Sequence, residues 1–238
     1  MPSEHIVRAY DDQLKRLKAE IGEMGGLVES QLGQAIQAVG NRDAELGQRC
    51  VASDAKVDAL ERQIDESVIK MLALRQPMAI DLRTILSALR IAADLERIGD
   101  YAANVGKRTT ALVQFPPVPA VGGLLRLGNL VRQVVKDVLD AFAANDTARA
   151  VQVWQRDEEV DAMYTSLFRE LLTYMMEDPR NITPCTHLLF IAKNLERIGD
   201  HATNIAETIH FQVLGRTITE ARPKGDETSF AVVAPDGR

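Results

Sequence analysis

The stretch Leu95-Glu96-Arg97-Ile98-Gly99-Asp100 recurs letter for letter as Leu195-Glu196-Arg197-Ile198-Gly199-Asp200. The match continues outward at the same offset, pairing Ile91-Ala92 with Ile191-Ala192, Ala102 with Ala202 and Asn104 with Asn204. Upstream, a slightly different offset aligns Asp43 with Asp146, Asp54 with Asp157, and Val57-Asp58-Ala59 with Val160-Asp161-Ala162. A repeat this long is the duplication of a whole folding unit, not a solenoid of short modules. Its internal spacing is helical. At about 100° per residue, Ile91, Leu95, Ile98, Ala102 and Val105 share one narrow apolar arc.

The rest of the chain follows the same period. Ile21, Met24, Val28, Leu32, Ala35 and Val39 form one stripe at three- and four-residue steps. Leu60, Ile64, Val68 and Met71 form a second, and Leu127, Leu130, Val131, Val134, Val135 and Val138 a third. Prolines, which break helix interiors, are absent between Pro2 and Pro77, between Pro77 and Pro116, and between Pro119 and Pro179. Only the tail near Phe230 shows any period-two alternation. The expected fold is therefore all-α: two pseudo-repeated three-helix bundles, built from six long helices of ~30 residues and ~45 Å each. Asn41-Arg42-Asp43 and Asn145-Asp146-Thr147 supply N-cap residues, while Gln76-Pro77 and Asp178-Pro179 end helices. These signals place a first repeat over 1–115, a Pro/Gly-rich linker over 116–123, a second repeat over 124–215 and a loosely ordered polar tail over 216–238.

Composition narrows the function. The 238 residues carry 28 Lys and Arg against 34 Asp and Glu, a net charge of −6, and the sequence pI is about 5.3. That balance argues against a nucleic-acid binder, which draws affinity from clustered cations. Cys50 and Cys185 have no CxxC partner, so neither a disulfide framework nor a thiolate zinc site is expected. The start, Met1-Pro-Ser-Glu-His-Ile, lacks the pattern of a secretory signal, and no apolar run approaches the ~20 residues of a membrane span; a cytoplasmic location is expected. P-loop, GxSxG, kinase and Rossmann glycine patterns are missing, so no enzymatic activity is expected.

The acidic residues are placed with unusual regularity. Glu96, Asp100 and Asn104, at i, i+4 and i+8, line up roughly opposite the apolar arc, and Glu196, Asp200 and Asn204 repeat this. The preceding helix of each unit adds an i, i+4 pair, Asp54/Asp58 and Asp157/Asp161. The plain alternative is a wet surface, because charged residues are mostly exposed. Yet like charges at i, i+4 destabilise a helix by ~0.2–0.5 kcal/mol, and both halves keep the arrangement while Ala93/Lys193 and Lys107/Glu207 diverge. Gly99 and Gly199, mid-helix beside the stripe at ~1 kcal/mol against alanine, suggest that something approaches the backbone closely there. A shared cation site is the better reading. Its donors are carboxylate and amide oxygens, which suit Mg²⁺ or Mn²⁺, or iron clusters through bridging carboxylates, with zinc less natural. Arg97 and Arg197 are expected to form supporting ion pairs that hold the carboxylates in place. His201 lies off the stripe, as a structural or partner-facing residue; His5, His187 and His210 form no ligand pattern, and Trp154 reads as core.

The doubled LERIGD-centred helix, with one (E/D)xxxD pair on it and another on the preceding helix, resembles the PhoU family, the accessory and regulatory proteins of bacterial phosphate-specific transport. The similarity covers about residues 5–215. It implies a homodimer, and metal ions or small clusters held by Asp54, Asp58, Glu96, Asp100 and Asn104 in the first unit and Asp157, Asp161, Glu196, Asp200 and Asn204 in the second. It also implies contact with the ATPase subunit of the phosphate transporter and with the membrane-bound phosphate sensor histidine kinase, holding down uptake and signalling when phosphate is plentiful. Asp94 becomes Asn194, and Arg90 and Arg108 become Phe190 and Thr208, so the two sites are expected to differ. Two rival readings are a carboxylate-bridged di-iron enzyme, disfavoured by the missing histidines, and a plain helical dimerisation scaffold.

Overall fold

The computed structural model describes residues 2–75 and 80–222, together with Gly225 and Thr228. Helix α1 spans Pro2–Asn41, α2 Ala44–Arg75, α3 Ile80–Leu112, α4 Val121–Ala144, α5 Thr147–Gln155, α6 Asp157–Glu177 and α7 Ile182–Leu214, with a 3₁₀ turn at Pro179–Asn181. Among the described residues there is no strand. Each predicted stripe is where burial occurs: Ile21, Met24, Val28, Leu32 and Ala35 on α1, Ile64 and Val68 on α2, and Leu127, Val131, Val135 and Val138 on α4 are all essentially inaccessible.

The two repeats begin their second helix with the same corner. Arg42 and Asn145 adopt left-handed backbone (φ 53° and 51°), ending the preceding helix. The next residue then caps the following one: Leu46 N donates to Asp43 Oδ1 at 2.9 Å, and Arg149 N to Asp146 Oδ1 at 3.0 Å. Arg42 also donates to the carbonyls of Leu112, Val113 and Phe115, satisfying the last turn of α3.

Two boundaries differ from expectation. The fifth helix of the six is interrupted at Arg156, where Arg156 N donates to Val153 O and Glu159 N to Arg156 O, both at 3.1 Å. This is 3₁₀ tightening, and it separates α5 from α6 without a proline or glycine. The linker is shorter than its glycines suggest: α4 starts at Val121, so Gly122 and Gly123 form its first turn. A Cβ on Gly123 would lie 3.1 Å from Leu167 Cδ1, so close packing, not a turn, explains that glycine. Asp178 does end α6, extended at φ −146° and capping the 3₁₀ turn through Arg180 N. Gln76-Pro77 and Phe230 lie outside the described residues.

Helices α1, α2 and α3 pack together, as do α4, α5, α6 and α7, and the two sets join through α3 against α7 and α1 against α4. The buried side chains form one continuous cluster across both repeats, so the bundles share a core and are not merely adjacent. Small residues bring α2 and α3 unusually near: a Cβ on Gly47 would meet Gly106 O at 2.8 Å, and one on Gly106 would meet Gly47 O at 2.6 Å. No helix among the described residues is long and apolar enough to cross a membrane.

Candidate functional site: two carboxylate ridges

Because α2 lies against α3, the acidic residues of both helices border one groove. Asp54 and Asp58 come from α2, and Glu96, Asp100 and Asn104 from α3; all are half-buried. The sequence wheel puts the α3 stripe opposite the core, whereas the structure places it beside the core, because α3 is covered on that flank as well. Burial is accordingly the first cause of the raised pKa of Asp54, reinforced by the charges of Asp100 and Asp58 and opposed by a Gln31 hydrogen bond and Lys107. Glu96 is raised for the same reasons, by burial and then by Asp100, with Arg97 acting in the opposite direction. Arg97 Nε stands 3.5 Å from Glu96 Oε2 and its Nη1 3.4 Å from Asp100 Oδ2.

Two members of this first ridge escape the sequence reading. Glu61, one turn beyond Asp58, is raised by burial and by Asp65 and Asp58, so it belongs to the same field. The continued spacing of Asp54, Asp58 and Glu61 along α2 was its available signal. Gln31, on α1, donates from Nε2 to Asp54 Oδ1 at 3.1 Å and to Cys50 O at 3.2 Å, while its buried Oε1 has no hydrogen-bond partner among the described residues. Only the third dimension brings it there. The glycine beside the stripe also finds its explanation: a Cβ on Gly99 would lie 3.2 Å from Gln31 Oε1 and 3.3 Å from both Asp54 Oδ1 and Val57 Cγ1. What approaches the backbone is the pair of helices packed against it, α1 through Gln31 and α2 through Asp54 and Val57.

The second ridge is deeper and already holds positive charge. Asp157, Asp161 and Glu196 are buried, at 3%, 4% and 5% exposure, and Asp200 is half-buried. Gly199 again faces the neighbouring helix, with Val160 Cγ1 3.1 Å from its would-be Cβ. The guanidinium of Arg222, from the tail, enters this ridge. Its Nε donates to Asp157 Oδ2 at 2.7 Å and its Nη2 to Asp157 Oδ1 at 3.0 Å, Asp200 Oδ1 at 2.6 Å and Asp200 O at 3.3 Å. Its Nη1 donates to Asn204 Oδ1 at 3.2 Å. Thr203 Oγ1 also donates to Asp157 Oδ1, at 3.1 Å, and Gly225 N donates to Asp161 Oδ2 at 2.8 Å. Lys193, the counterpart of Ala93, donates to Glu196 Oε1 at 2.8 Å, but Glu196 Oε2 is buried without a hydrogen-bond partner among the described residues. Burial pushes the Glu196 pKa up to about 7, against the Lys193 hydrogen bond and with help from Asp200. Arg197 does not mirror Arg97: its Nη1 donates to Tyr101 Oη at 3.3 Å, across the junction of the repeats.

The Asp94/Asn194 difference acts at that junction. His201 Nδ1 lies 2.8 Å from Asp94 Oδ1, and Asn204 Nδ2 donates to the same oxygen at 3.3 Å. The His201 and Tyr101 rings sit 5.7 Å apart, so the repeat-related pair meets across α3 and α7. His201 is thus a structural link. Trp154 is buried, with Nε1 donating to Glu207 Oε1 at 2.9 Å; the His187 ring lies tilted 6.3 Å from that of Phe115, and His210 Nδ1 meets Arg216 O at 3.0 Å. The side chain of His5 lies outside the described part.

Among the described residues no three His, Cys, Asp or Glu side chains close around a single point as metal ligands. The chemistry of the second ridge nevertheless fits a hard divalent cation. The contacts made by the Arg222 guanidinium are all to oxygen, from two carboxylates, one carbonyl and one amide, and an orphaned buried carboxylate oxygen of Glu196 belongs to the same ridge. Histidine is absent from both donor sets, which disfavours zinc and a histidine-bearing di-iron centre.

A duplicated helical bundle with one carboxylate ridge per repeat is the class these features define. The PhoU domain family model matches twice, over residues 21–109 and 124–209. The chain belongs to the PhoU family. It is 52% identical over 228 residues, covering 95% of this chain and 99% of the other, to the phosphate-specific transport system accessory protein PhoU homolog of Caulobacter vibrioides. Its identity to the Xylella fastidiosa homolog of the same description is 54% over 225 residues, covering 94% and 95% of the two chains. The crystal structure of PhoU from Pseudomonas aeruginosa superposes with a TM-score of 0.84 at 40% identity, covering 87% of this chain and all of that one. The regulatory protein PhoU from Streptococcus pneumoniae matches at 0.82 and 27% identity, over 89% of this chain and all of that one.

Proposed function

We propose that the protein is a non-enzymatic accessory protein of bacterial phosphate-specific transport, working from the cytoplasm as a negative regulator of phosphate uptake and phosphate-regulon signalling. The names of its relatives support the accessory role. The observation that carries the metal-dependent part is the carboxylate ridge present in each repeat, where burial and then neighbouring carboxylates raise the pKa of Asp54 and Glu96 in the first and of Glu196 in the second. Repelling acids are retained there twice over, at an energetic cost a solvated surface has no need to bear.

In this reading Asp54, Asp58, Glu96, Asp100 and Asn104 hold divalent ions, Mg²⁺ or Mn²⁺ or an iron cluster, in the first ridge. Asp157, Asp161, Glu196, Asp200 and Asn204 are the corresponding set in the second. A bound cation supplies the charge that offsets carboxylate repulsion. The chain's own residues do the rest. Arg97 orients Glu96 and Asp100, Gln31 fixes Asp54, and the α2–α3 groove presents a surface whose shape depends on that neutralisation. A partner that prefers the neutralised shape shifts the equilibrium by its differential affinity. The partners proposed are the transporter's ATPase subunit, the phosphate sensor histidine kinase and a second copy of this chain. Exposed apolar side chains at the end of α2 and the start of α3, Ile69, Leu74, Ile80, Leu82 and Leu86, offer contact area for such docking.

Isothermal titration of Mn²⁺ into chelator-treated protein tests the reading, alongside capture of the purified ATPase subunit with and without EDTA. Wild type is expected to bind Mn²⁺, Asp100→Ala/Asp200→Ala to lose at least about tenfold in affinity, a difference of about 1.4 kcal/mol, and EDTA to release the partner. Mn²⁺ affinity unchanged by that substitution, with capture indifferent to EDTA, would leave a plain helical scaffold.

A further inference from the structure

The tail that follows α7 does not simply leave the protein. Gly215, at φ +73°, turns the chain; His210 Nδ1 meets Arg216 O, and Ile218 packs against the core. The chain then delivers Arg222 into the second ridge, and the N–H of Gly225 donates to Asp161. The guanidinium is only 19% exposed in its ion pair with Asp157, whose side chain is 2% exposed. It therefore engages four side-chain oxygens of the second ridge, both of Asp157, Asp200 Oδ1 and Asn204 Oδ1, together with the Asp200 carbonyl. In the first ridge the corresponding Asp54 meets the neutral amide of Gln31, and Arg97 stays on the rim, its side chain 59% exposed.

A guanidinium and a divalent ion cannot share the same oxygens, because both are positive and each needs the same lone pairs. We propose that Arg222 is a tethered internal cation that closes the second ridge, so that divalent-ion binding there and docking of residues 216–222 exclude one another, leaving the first ridge as the open site. This rests on the reading that the ridges take divalent cations. The tether is short, which keeps the effective concentration of the guanidinium high without any free ligand. Ion occupancy of the second ridge thereby becomes a change in the tail: the ion bound, the segment released; the ion lost, the segment docked.

The experiment uses the full chain and Mn²⁺ alone. The second ridge is read by titrating an Asp54→Asn/Asp100→Asn variant, and the first by titrating Asp157→Asn/Asp200→Asn. In the first of these backgrounds Arg222→Gln is expected to tighten Mn²⁺ binding about tenfold, the gain when a competing state populated about nine-tenths of the time is removed. Arg222→Lys, which keeps the charge but not the fork, is expected to fall between the two. Hydrogen exchange supplies a second readout: saturating Mn²⁺ should deprotect the Gly225 amide in wild type, and Arg222→Gln should deprotect it without metal. A gain of less than about threefold, or a Gly225 amide that exchanges identically with and without Mn²⁺, overturns the plug while leaving the metal reading intact. Mn²⁺ binding to neither ridge, with or without Arg222, overturns the metal reading and the plug together.

Discussion

Glu196 shows how far one side chain can depart from its solution behaviour. Its side chain is 6% exposed, and burial, more than any neighbouring charge, raises its pKa from 4.5 to about 7. The sign of the consequence follows from proton counting. Between pH 4.5 and 7 the folded chain retains a proton that the unfolded chain has released, so the native state binds more protons and loses stability as pH rises. Urea denaturation in EDTA should accordingly find wild type less stable at pH 8 than at pH 5 by about 3 kcal/mol from this group. Glu196→Gln, which cannot ionise, should remove that part of the slope and be the more stable protein at pH 8; an unchanged slope would place the carboxyl in a wetter setting than its burial indicates. The identity of Glu196 as a ridge residue was legible in the repeated LERIGD stretch. Its burial was not, because Lys193 and the closeness of α6 are properties of neighbours that periodicity does not specify.

At the scale of helices, glycine has two different jobs that look alike in sequence. Gly106 faces the carbonyl of Gly47 across the α2–α3 crossing, and a Cβ there would come within 2.6 Å of backbone oxygen. Backbone cannot step aside as a side chain can, so Gly106→Ala should destabilise the fold by about 2–3 kcal/mol, measured by the urea midpoint. Gly99 faces side-chain atoms of Gln31, Asp54 and Val57 at 3.2–3.3 Å. These can give by a few tenths of an ångström, so Gly99→Ala should cost under about 1 kcal/mol yet weaken Mn²⁺ binding to the first ridge by displacing Asp54. Equal effects of the two substitutions on stability would refute the distinction. The helices themselves were readable because an apolar stripe is a local pattern. The interruption at Arg156 was not, since nothing in Trp154-Gln155-Arg156-Asp157 breaks a helix and the 3₁₀ tightening is set by packing.

Across the whole molecule, the two repeats share a sequence motif and are unequal in charge. The first ridge is ringed by further acids, Glu61 and Asp65, where the second has Tyr164 and Phe168 at the aligned positions and Lys193 and Arg222 as internal cations. Asp94 ties the halves together: it accepts Asn204 and meets His201, and Asn204 in turn contacts the Arg222 that fills the second ridge. Asp94→Ala should therefore lower the thermal midpoint by the equivalent of about 1–2 kcal/mol. It should also increase hydrogen exchange along both α3 and α7 near residues 94–104 and 194–204; exchange confined to α3 would show that the junction does not depend on this residue.

Duplication, helical class and the choice of acidic residues were written in the sequence, because a 3.6-residue period and a repeated motif are visible within a few turns of chain. The partnerships among those acids were settled only on folding. That α2 borders α3 closely enough to half-bury the stripe, that Gln31 braces Asp54, and that Arg222 lies across Asp157 and Asp200 are contacts between residues distant along the chain. A long-range contact leaves no period to read: its energy depends on burial and on the oxygen and charge brought within about 3 Å, and those distances exist only once the helices have packed.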